Sequence, residues 1–455
     1  MNSMKLLKTG ALALTLLATS VMAAVSPDEA AKLGTSLTPL GAEKAGNADG
    51  SIPAWTGGLK KGAAPVVNNF LGNPFEAEKP LFVITKDNVD QHKDKLTDGQ
   101  LALFKRYPDT YKIPVYPTHR SVAVPQELAD AAKKSALNTT LVKELSGPEK
   151  IESHYIPFPI PQSGLEVVWN HLARYRSGSN YSRQIAQATP LANGSYTVVQ
   201  IEEQCAFPWR MADADPKATA NILYYCKQTV TAPSRMAGTV SLVHETINQV
   251  SEPRMAWAYN AGQRRVRRAP QLAYDGPGTA ADGMRTADNS DMFNGAPDRY
   301  DWKLVGKKEM YVPYNSYTMA SNKLKYADIV KPGHINQDLT RYEKHRVWVV
   351  EGTVKAGERH IYAKRRFYVD EDTWAIVEAD HYDGRGQLWR VAEGHLINDY
   401  EHGGSFYSVQ TLYDLIAGRY AVLGMVNESK AGQDFSYKPS VQDFTPAALR
   451  NAGIR

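Results

Sequence analysis

The segment Arg341–His395, RYEKHRVWVVEGTVKAGERHIYAKRRFYVDEDTWAIVEADHYDGRGQLWRVAEGH, contains four runs in which apolar and polar residues alternate. The runs are HRVWVVEGTVK, AKRRFYVD, TWAIVEADHYD and QLWRVAEGH. Alternation with a period of two residues is typical of β-strands. The turns DEDT from Asp370 and DGRG from Asp383 are shorter than the crossover of about a dozen residues that parallel neighbours need. The segment therefore predicts a meander of antiparallel strands.

The same alternation begins at about Ser182 and continues through most of the remaining chain. Six further runs have it: SYTVVQIEEQ, NILYYCKQTVT, AGTVSLVHETIN, RMAWAY, RRVRRAP and WKLVGKKEMYV. Helix signals precede it, among them Thr97 followed by Gln100, and Ser163 before LEVVWNHL. We therefore predict an α+β fold dominated by one large, curved antiparallel sheet, with a helical and loop-rich N-terminal extension.

This pattern divides the chain into an N-terminal arm with helices, residues 24–162, and a β domain, residues 163–455. Within the β domain, residues 274–302 are rich in Gly, Ala and Asp and lack the alternation. Loops of this length in a compact domain are usually functional or mobile. We predict that residues 274–302 form an insertion that can act as a lid.

The first 23 residues have the features of a secretory signal peptide. Lys5 and Lys8 form a basic region, Thr9–Ala18 is apolar, and Ala23 ends a small-residue cleavage site. No later stretch reaches the roughly 20 apolar residues that span a bilayer. We therefore expect an exported protein that works in the periplasm or at the inner face of the outer membrane.

Cys205 and Cys226 are the only cysteines in the chain. In an oxidising compartment, a disulfide between them is favoured over free thiols or a metal site. The alternative is that both residues are separately buried thiols.

The charge pattern argues against a nucleic-acid partner. The chain has 53 Lys and Arg against 48 Asp and Glu, so it carries no general excess of positive charge. The stretch MAWAYNAGQRRVRRAP, Met255–Pro270, is locally basic, but its NAGQ turn predicts a β-hairpin. Strand alternation then places Arg264 and Arg268 on one face and Arg265 and Arg267 on the other. Which pair faces the concave side of the sheet stays open.

The stretch EADHYDGRG is the strongest candidate for a catalytic or metal site. On a strand, Glu378 and Asp380 face one way and His381 faces the other, so these groups do not converge. No second histidine at a suitable spacing supports a metal site. We therefore expect no metal, no cofactor and no enzymatic activity, and we favour a turn flanked by charged residues. The alternative is a periplasmic enzyme that acts on a lipophilic compound near Asp380 or His381.

The segment Arg341–His395, the hairpin WAYNAGQRRVRRAP and the N-terminal NADGSIPAWTGG together resemble the exported family catalogued as domain of unknown function 1329. That family is grouped with the LolA/LolB lipoprotein-carrier superfamily. The resemblance implies an open half-barrel, in which a strongly curved antiparallel sheet wraps around helices and its concave face receives acyl chains or other lipophilic ligands. The resemblance also implies that the genes of family members lie near genes for outer-membrane proteins and for resistance-nodulation-division export pumps. This in turn implies traffic of lipophilic molecules through the envelope.

We therefore expect a non-catalytic carrier or binding protein for a hydrophobic small molecule or lipid. Large side chains on the predicted strands, and arginines that could contact a polar headgroup, are the candidate cavity lining: Met255, Trp257, Tyr259, Trp348, Trp374, Trp389, Arg265 and Arg267. The alternative for the aromatic residues is that they fill the core. The alternative for the whole protein is a scaffold that docks an outer-membrane protein or an export pump.

Overall fold

The computed structural model describes residues 21–22, 24–142, 146–151, 155–177, 180–270 and 274–453. The predicted signal peptide therefore lies outside the described residues, except for Val21 and Met22. Within the described ranges, no helix combines the length and the apolar character needed to cross a membrane.

Six α-helices and twenty strands are formed by these residues. The helices are α1 Pro27–Ala30, α2 Asp98–Arg106, α3 Gln126–Asn138, α4 Gly164–Leu172, α5 Tyr326–Ile329 and α6 Ala448–Gly453. The strands are β1 Val21–Met22, β2 Val66–Val67, β3 Phe70–Leu71, β4 Phe82–Ile84, β5 Ile113–Val115, β6 Leu141–Val142, β7 Gly147–Pro148, β8 Tyr181–Ala188, β9 Val198–Ala206, β10 Ile222–Ala232, β11 Val240–Thr246, β12 Met255–Asn260, β13 Arg265–Arg268, β14 Tyr300–Pro313, β15 Tyr342–Val354, β16 Lys364–Asp370, β17 Ile376–Tyr382, β18 Leu388–Asn398, β19 Ser405–Asp414 and β20 Arg419–Met425.

Fifteen of the strands form one sheet, in the order β13-β12-β11-β10-β9-β8-β20-β19-β18-β17-β16-β15-β5-β4, with β14 along the other edge of β15. Neighbouring strands are antiparallel, apart from β5 beside β15. The ten strands predicted from alternation are β9 to β18, so the predicted fold class is confirmed. β4 and β5 come from the predicted N-terminal extension and lengthen the same sheet.

The sheet is strongly curved, and α4 lies on its concave face. β14 contacts β17 and β18, although these strands are three and four positions away from it in the sheet. Ser163 caps α4 by accepting a hydrogen bond from Glu166 N at 3.3 Å, and the helix packs on β14 and β15. The residues of α4 that join the largest apolar core are Val167, Val168, Trp169 and Leu172.

The opposite face of the same strands is covered by α2. Thr97 and Gln100 form the predicted capping box, with each side chain accepting a hydrogen bond from the other residue's N–H at 3.0 Å. The Gly99 N–H donates to Asp380 Oδ1 at 2.9 Å. A Cβ atom on Gly99 would collide with that oxygen and would lie 2.5 Å from Val391 Cγ1. The helix therefore approaches β17 and β18 as closely as a glycine allows.

This close approach predicts that Gly99→Ala destabilises the protein, although alanine is the better helix former. The added methyl group must push α2 away from β17 and β18, and overpacking of this kind costs about 1–3 kcal/mol. Urea unfolding followed by circular dichroism measures the difference. The matched control is Gly384→Ala, because nothing lies within 4 Å of a Cβ at that position. A Gly99→Ala protein as stable as this control would show that α2 does not pack tightly against the sheet.

Candidate functional site

A cavity of about 160 Å³ lies between the concave face of the sheet and the irregular segment that begins at residue 274. Its floor is made by β8, β9, β10 and β11, with contributions from β19 and β20. Its roof is made by residues between Gly278 and Asn294. The predicted insertion therefore covers a cavity, although its movement as a lid stays a prediction.

The register of the strands brings the floor side chains together. Arg183 on β8 pairs with Glu203 on β9, and Glu203 pairs with Gln228 on β10. Paired residues project from the same face of a sheet, so these three side chains form one polar row across the floor. Ile185 and Ile201 form the next row and supply apolar surface.

The predicted disulfide is confirmed. Cys205 on β9 and Cys226 on β10 are directly paired across the two strands, with their Cα atoms 4.2 Å apart. Both cysteines line the floor beside Val243 of β11. The bridge therefore links two floor strands at the cavity itself.

The first part of the roof is a short hairpin, in which Pro277 bridges to Thr286. Gln187 on β8 donates hydrogen bonds from Nε2 to the carbonyl oxygens of Thr279 at 3.1 Å and Ala280 at 2.7 Å. Further along this hairpin, residues 277–286, Arg419 pairs with Asp282 at 2.6 Å, and Arg390 donates to the carbonyl oxygen of Gly283 at 2.9 Å.

The second part of the roof is anchored by charge. Asp291 accepts hydrogen bonds from Arg174 at 2.6 and 2.9 Å and from Arg176 at 2.7 and 3.1 Å. Burial alone would raise the pKa of Asp291, but the two guanidinium groups outweigh it and hold this pKa below its ordinary value. Met292 and Phe293 are fully buried in the main core. This part of the predicted insertion is therefore a fixed core segment, and β14 already begins at Tyr300.

Two further ion pairs line the cavity. Arg183 lies 2.6 Å from Glu203, which also accepts hydrogen bonds from Tyr181 and Gln228. Arg254 lies 2.8 Å from Glu245. Each of these carboxylates is thus neutralised by an arginine of the cavity wall.

Three of the residues predicted to line a cavity lie on β12: Met255, Trp257 and Tyr259. Ala256 on this strand pairs with Val243, which faces the cavity, so the residues on either side of Ala256 project from the opposite face. There they pack against Phe444 and the C-terminal helix α6. The structure therefore places these three side chains under α6 and away from the cavity.

The two predicted arginines, Arg265 and Arg267, lie on β13, the strand next to β12. Arg267 pairs with Ala258, on the face of the sheet that carries the cavity, and Arg265 shares that face. Both side chains are exposed at the edge of the sheet, and neither belongs to the described cavity lining. Arg268 projects the other way and lies 5.9 Å from the centre of the Trp257 ring.

The remaining predicted tryptophans are dispersed. Trp348 and Trp374 stack with their ring centroids 6.2 Å apart, beside the core that holds α4. Trp389 on β18 donates from Nε1 to Asp414 at 3.0 Å. The eight predicted residues are therefore not brought together, and as ligand contacts they stay a prediction. The cavity is instead lined by polar and apolar residues of β8 to β11 that are not among these eight.

The acidic motif on β17 is divided between the two faces, as alternation predicts. Asp380 and Glu378 point toward α2, where Glu378 accepts a hydrogen bond from Gln100 at 2.9 Å. His381 points to the concave side and contacts Asn289 at 3.1 Å. All of these side chains are buried in packed structure, so Asp380 and His381 do not share a site.

Two groups of possible metal ligands occur among the described residues. In the first, Glu203 lies beside Cys205 and Cys226, but both sulfur atoms are in the disulfide. In the second, His345, Asp370 and Asp372 meet in the core. There Arg120 donates to Asp372 from Nη2 at 2.6 Å and from Nε at 2.9 Å. These groups are therefore a disulfide with a neighbouring ion pair, and a buried ion-pair network.

The fold and the cavity define an open half-barrel protein whose concave face is covered by one helix and one long segment. The chain belongs to the family described as "Protein of unknown function (DUF1329)", which matches residues 83–450. It is 65% identical over 451 residues to the uncharacterized protein PA3922 of Pseudomonas aeruginosa, covering 99% of both chains. The resemblance predicted from the sequence is confirmed.

Two solved structures are also similar. One is a DUF1329 family protein from Desulfovibrio piger, with 16% identity and a TM-score of 0.41, over 60% of this chain and 92% of that chain. The other is the LolA superfamily protein NE2245 from Nitrosomonas europaea, with 12% identity and a TM-score of 0.39, over 63% of this chain and 98% of that chain.

The buried carboxyl groups beside α2 predict a dependence of stability on pH. Burial raises the pKa of Asp380 to about 7, and burial together with Glu393 raises the pKa of Glu378 well above its ordinary value. The folded protein therefore keeps protons that the unfolded chain has already lost, so the free energy of unfolding falls as the pH rises through these folded-state values. We expect Glu378→Gln to reduce this fall between about pH 5 and about pH 8 by roughly 1 kcal/mol or more.

Urea unfolding at a series of pH values measures the effect. The control is Glu76→Gln, because Glu76 is exposed. Equal pH dependence in Glu378→Gln and wild type would show that Glu378 is ionised in the folded protein.

Proposed function

We propose that the protein is a non-catalytic periplasmic carrier that binds a lipophilic ligand in the cavity on its concave face. The observation that carries the proposal is the position of the cavity, which lies between the floor strands and a roof formed by residues between Gly278 and Asn294. Covered clefts that bring apolar surface and polar groups together are the usual form of small-molecule sites.

The apolar part of the lining supports a ligand with a hydrophobic portion. Ile185 and Ile201 lie side by side on the floor, and Val243, Phe207 and Leu423 extend this surface. Apolar ligand surface removed from water at such a place contributes about 25 cal/mol per Å².

The size of the cavity limits what it holds in the present conformation. An apolar cavity of about 150 Å³ takes a molecule such as benzene, whereas sites for larger ligands measure about 300–1,000 Å³. A lipid chain therefore requires the roof to move. We propose that the hairpin 277–286 moves, because its ion pair between Arg419 and Asp282 lies at the surface, whereas the carboxylate of Asp291 is held by two arginines and the next residues are buried in the core.

Binding is tested with delipidated protein and a fluorescent fatty acid. We expect saturable binding by wild type, and binding about 10-fold weaker or worse in Val243→Trp, because the indole would fill the space above the disulfide. A 10-fold change corresponds to about 1.4 kcal/mol. The matched control is Trp257→Ala, which alters the same part of the sheet on its other face and should bind as wild type does.

The possible results separate the alternatives. Failure of wild type to bind any lipophilic probe would exclude the carrier function. Loss of binding in Trp257→Ala with normal binding in Val243→Trp would instead place the site among the aromatic residues under α6. Mass spectrometry of compounds that copurify with the native protein would then identify the ligand.

The periplasmic location is part of the same proposal. Its supports are the signal-peptide features of residues 1–23 and the disulfide, since disulfides persist in oxidising compartments. We expect the mature protein to begin at Ala24, and intact-mass measurement of protein from a periplasmic extract checks this. A protein that retains residues 1–23 would contradict it.

The family resemblance further suggests an outer-membrane protein or a resistance-nodulation-division pump as the acceptor of the ligand. Co-purification from a detergent extract tests this partner.

A further inference from the structure

Arg285 stands apart from the other charged residues of the cavity. Its side chain is only 9% exposed and lines the roof. Its guanidinium group has no hydrogen bond or ion pair to any residue that the structure describes, and the buried Nε atom lacks a partner. A buried guanidinium group without an anion is costly, and such groups are normally paired.

The position of this side chain is fixed by the hairpin. Gly278 N donates to Arg285 O at 3.0 Å across the two strands of the hairpin. A Cβ atom on Gly278 would lie 2.6 Å from Arg285 Cγ and 2.9 Å from Nε. The backbone of Gly278 therefore supports the arginine directly and holds it in the roof.

The neighbouring carboxylates do not compensate Arg285. The charge of Glu203 acts on Arg285, but this carboxylate already binds Arg183, Tyr181 and Gln228. The other two acids of the lining are bound by arginines of their own, as described above. Four arginines therefore face three carboxylates in the described lining, and Arg285 is the one left over. Burial lowers the pKa of Arg285 to about 10, and Glu203 offsets this only in part.

We infer that Arg285 is the binding site for the anionic group of the ligand, a carboxylate or a phosphate attached to an apolar portion. This inference rests on the proposed carrier function and specifies its ligand class as an amphipathic anion. A guanidinium group offers parallel N–H donors that match the two oxygens of either anion. The apolar floor residues Ile185 and Ile201 lie in the same cavity and would receive the hydrophobic portion.

The test compares ligands that carry the apolar chain, the anionic group, or both. Dodecanol has the chain without the charge, butyrate has the charge without the chain, and dodecanoate has both. Dodecyl phosphate distinguishes a phosphate from a carboxylate as the preferred anion. Binding to delipidated wild type, Arg285→Gln and Arg285→Lys is measured by calorimetry below the micellar concentration.

We expect wild type to bind dodecanoate or dodecyl phosphate at least about 10-fold more tightly than dodecanol, because hydrogen bonds to charged groups contribute at this level. Arg285→Gln should remove this preference for the anionic ligands and leave the binding of dodecanol unchanged. Arg285→Lys should retain part of it, since the charge remains but the paired donors are lost. Arg264→Gln is the control, because Arg264 is an exposed arginine outside the cavity lining. Thermal unfolding establishes that each variant is folded, and Arg285→Gln should melt no lower than wild type.

The outcomes distinguish this inference from the carrier proposal. Equal binding of dodecanol and dodecanoate, unchanged in Arg285→Gln, would overturn the anion site and leave the carrier in place. Binding of butyrate that depends on Arg285, without binding of dodecanol or dodecanoate, would support the anion site and overturn the lipophilic carrier. Absence of binding by all four compounds would overturn both.

Discussion

The cavity depends on the buried ion pairs between Asp291 and the two arginines that follow α4. The helix ends at Leu172, so Arg174 and Arg176 leave it side by side and reach one carboxylate in the roof. His171 strengthens this junction, because its Nε2 lies 3.0 Å from the carbonyl oxygen of Asp291. Separating these groups would leave charges buried without partners, at a cost of several kcal/mol. The roof is therefore fixed to the helix that fills the concave face, and the cavity lies beyond the end of that helix.

Much of this fold follows from the strand alternation alone. The ten predicted strands all exist, and the short turns between them correctly indicate antiparallel neighbours. The runs SFYSVQTLYD and RYAVLGM, which form β19 and β20, carry a similar alternation and are not among the ten predicted strands. The pairing of β8 with β20 could not be foreseen, because these strands are more than 200 residues apart and no local turn connects them. That pairing joins the floor of the cavity to the rest of the sheet.

The candidate site was less accessible to sequence reasoning, for a physical reason. Alternation separates the two faces of a strand but does not state which face is concave. On β12 the large residue Trp257 faces away from the cavity, because α6 from the far C-terminus covers that side. On β9 the polar residue Glu203 faces the cavity, although polar positions on a strand normally indicate solvent. The useful signal would have been the repetition of ionisable residues on one face of neighbouring strands.

The charged lining also explains why the curved sheet does not by itself determine the cargo. In this chain α4 and the core around Phe293 pack on the concave face over β14 to β17. The other half, over β8 to β11, stays open but is bordered by arginines and carboxylates. An entirely apolar molecule would leave these groups desolvated without new partners, which costs free energy. A molecule with one anionic end would satisfy Arg285 and still bury its apolar part against Ile185 and Ile201, so the arrangement of charges favours an amphipathic cargo over a hydrocarbon.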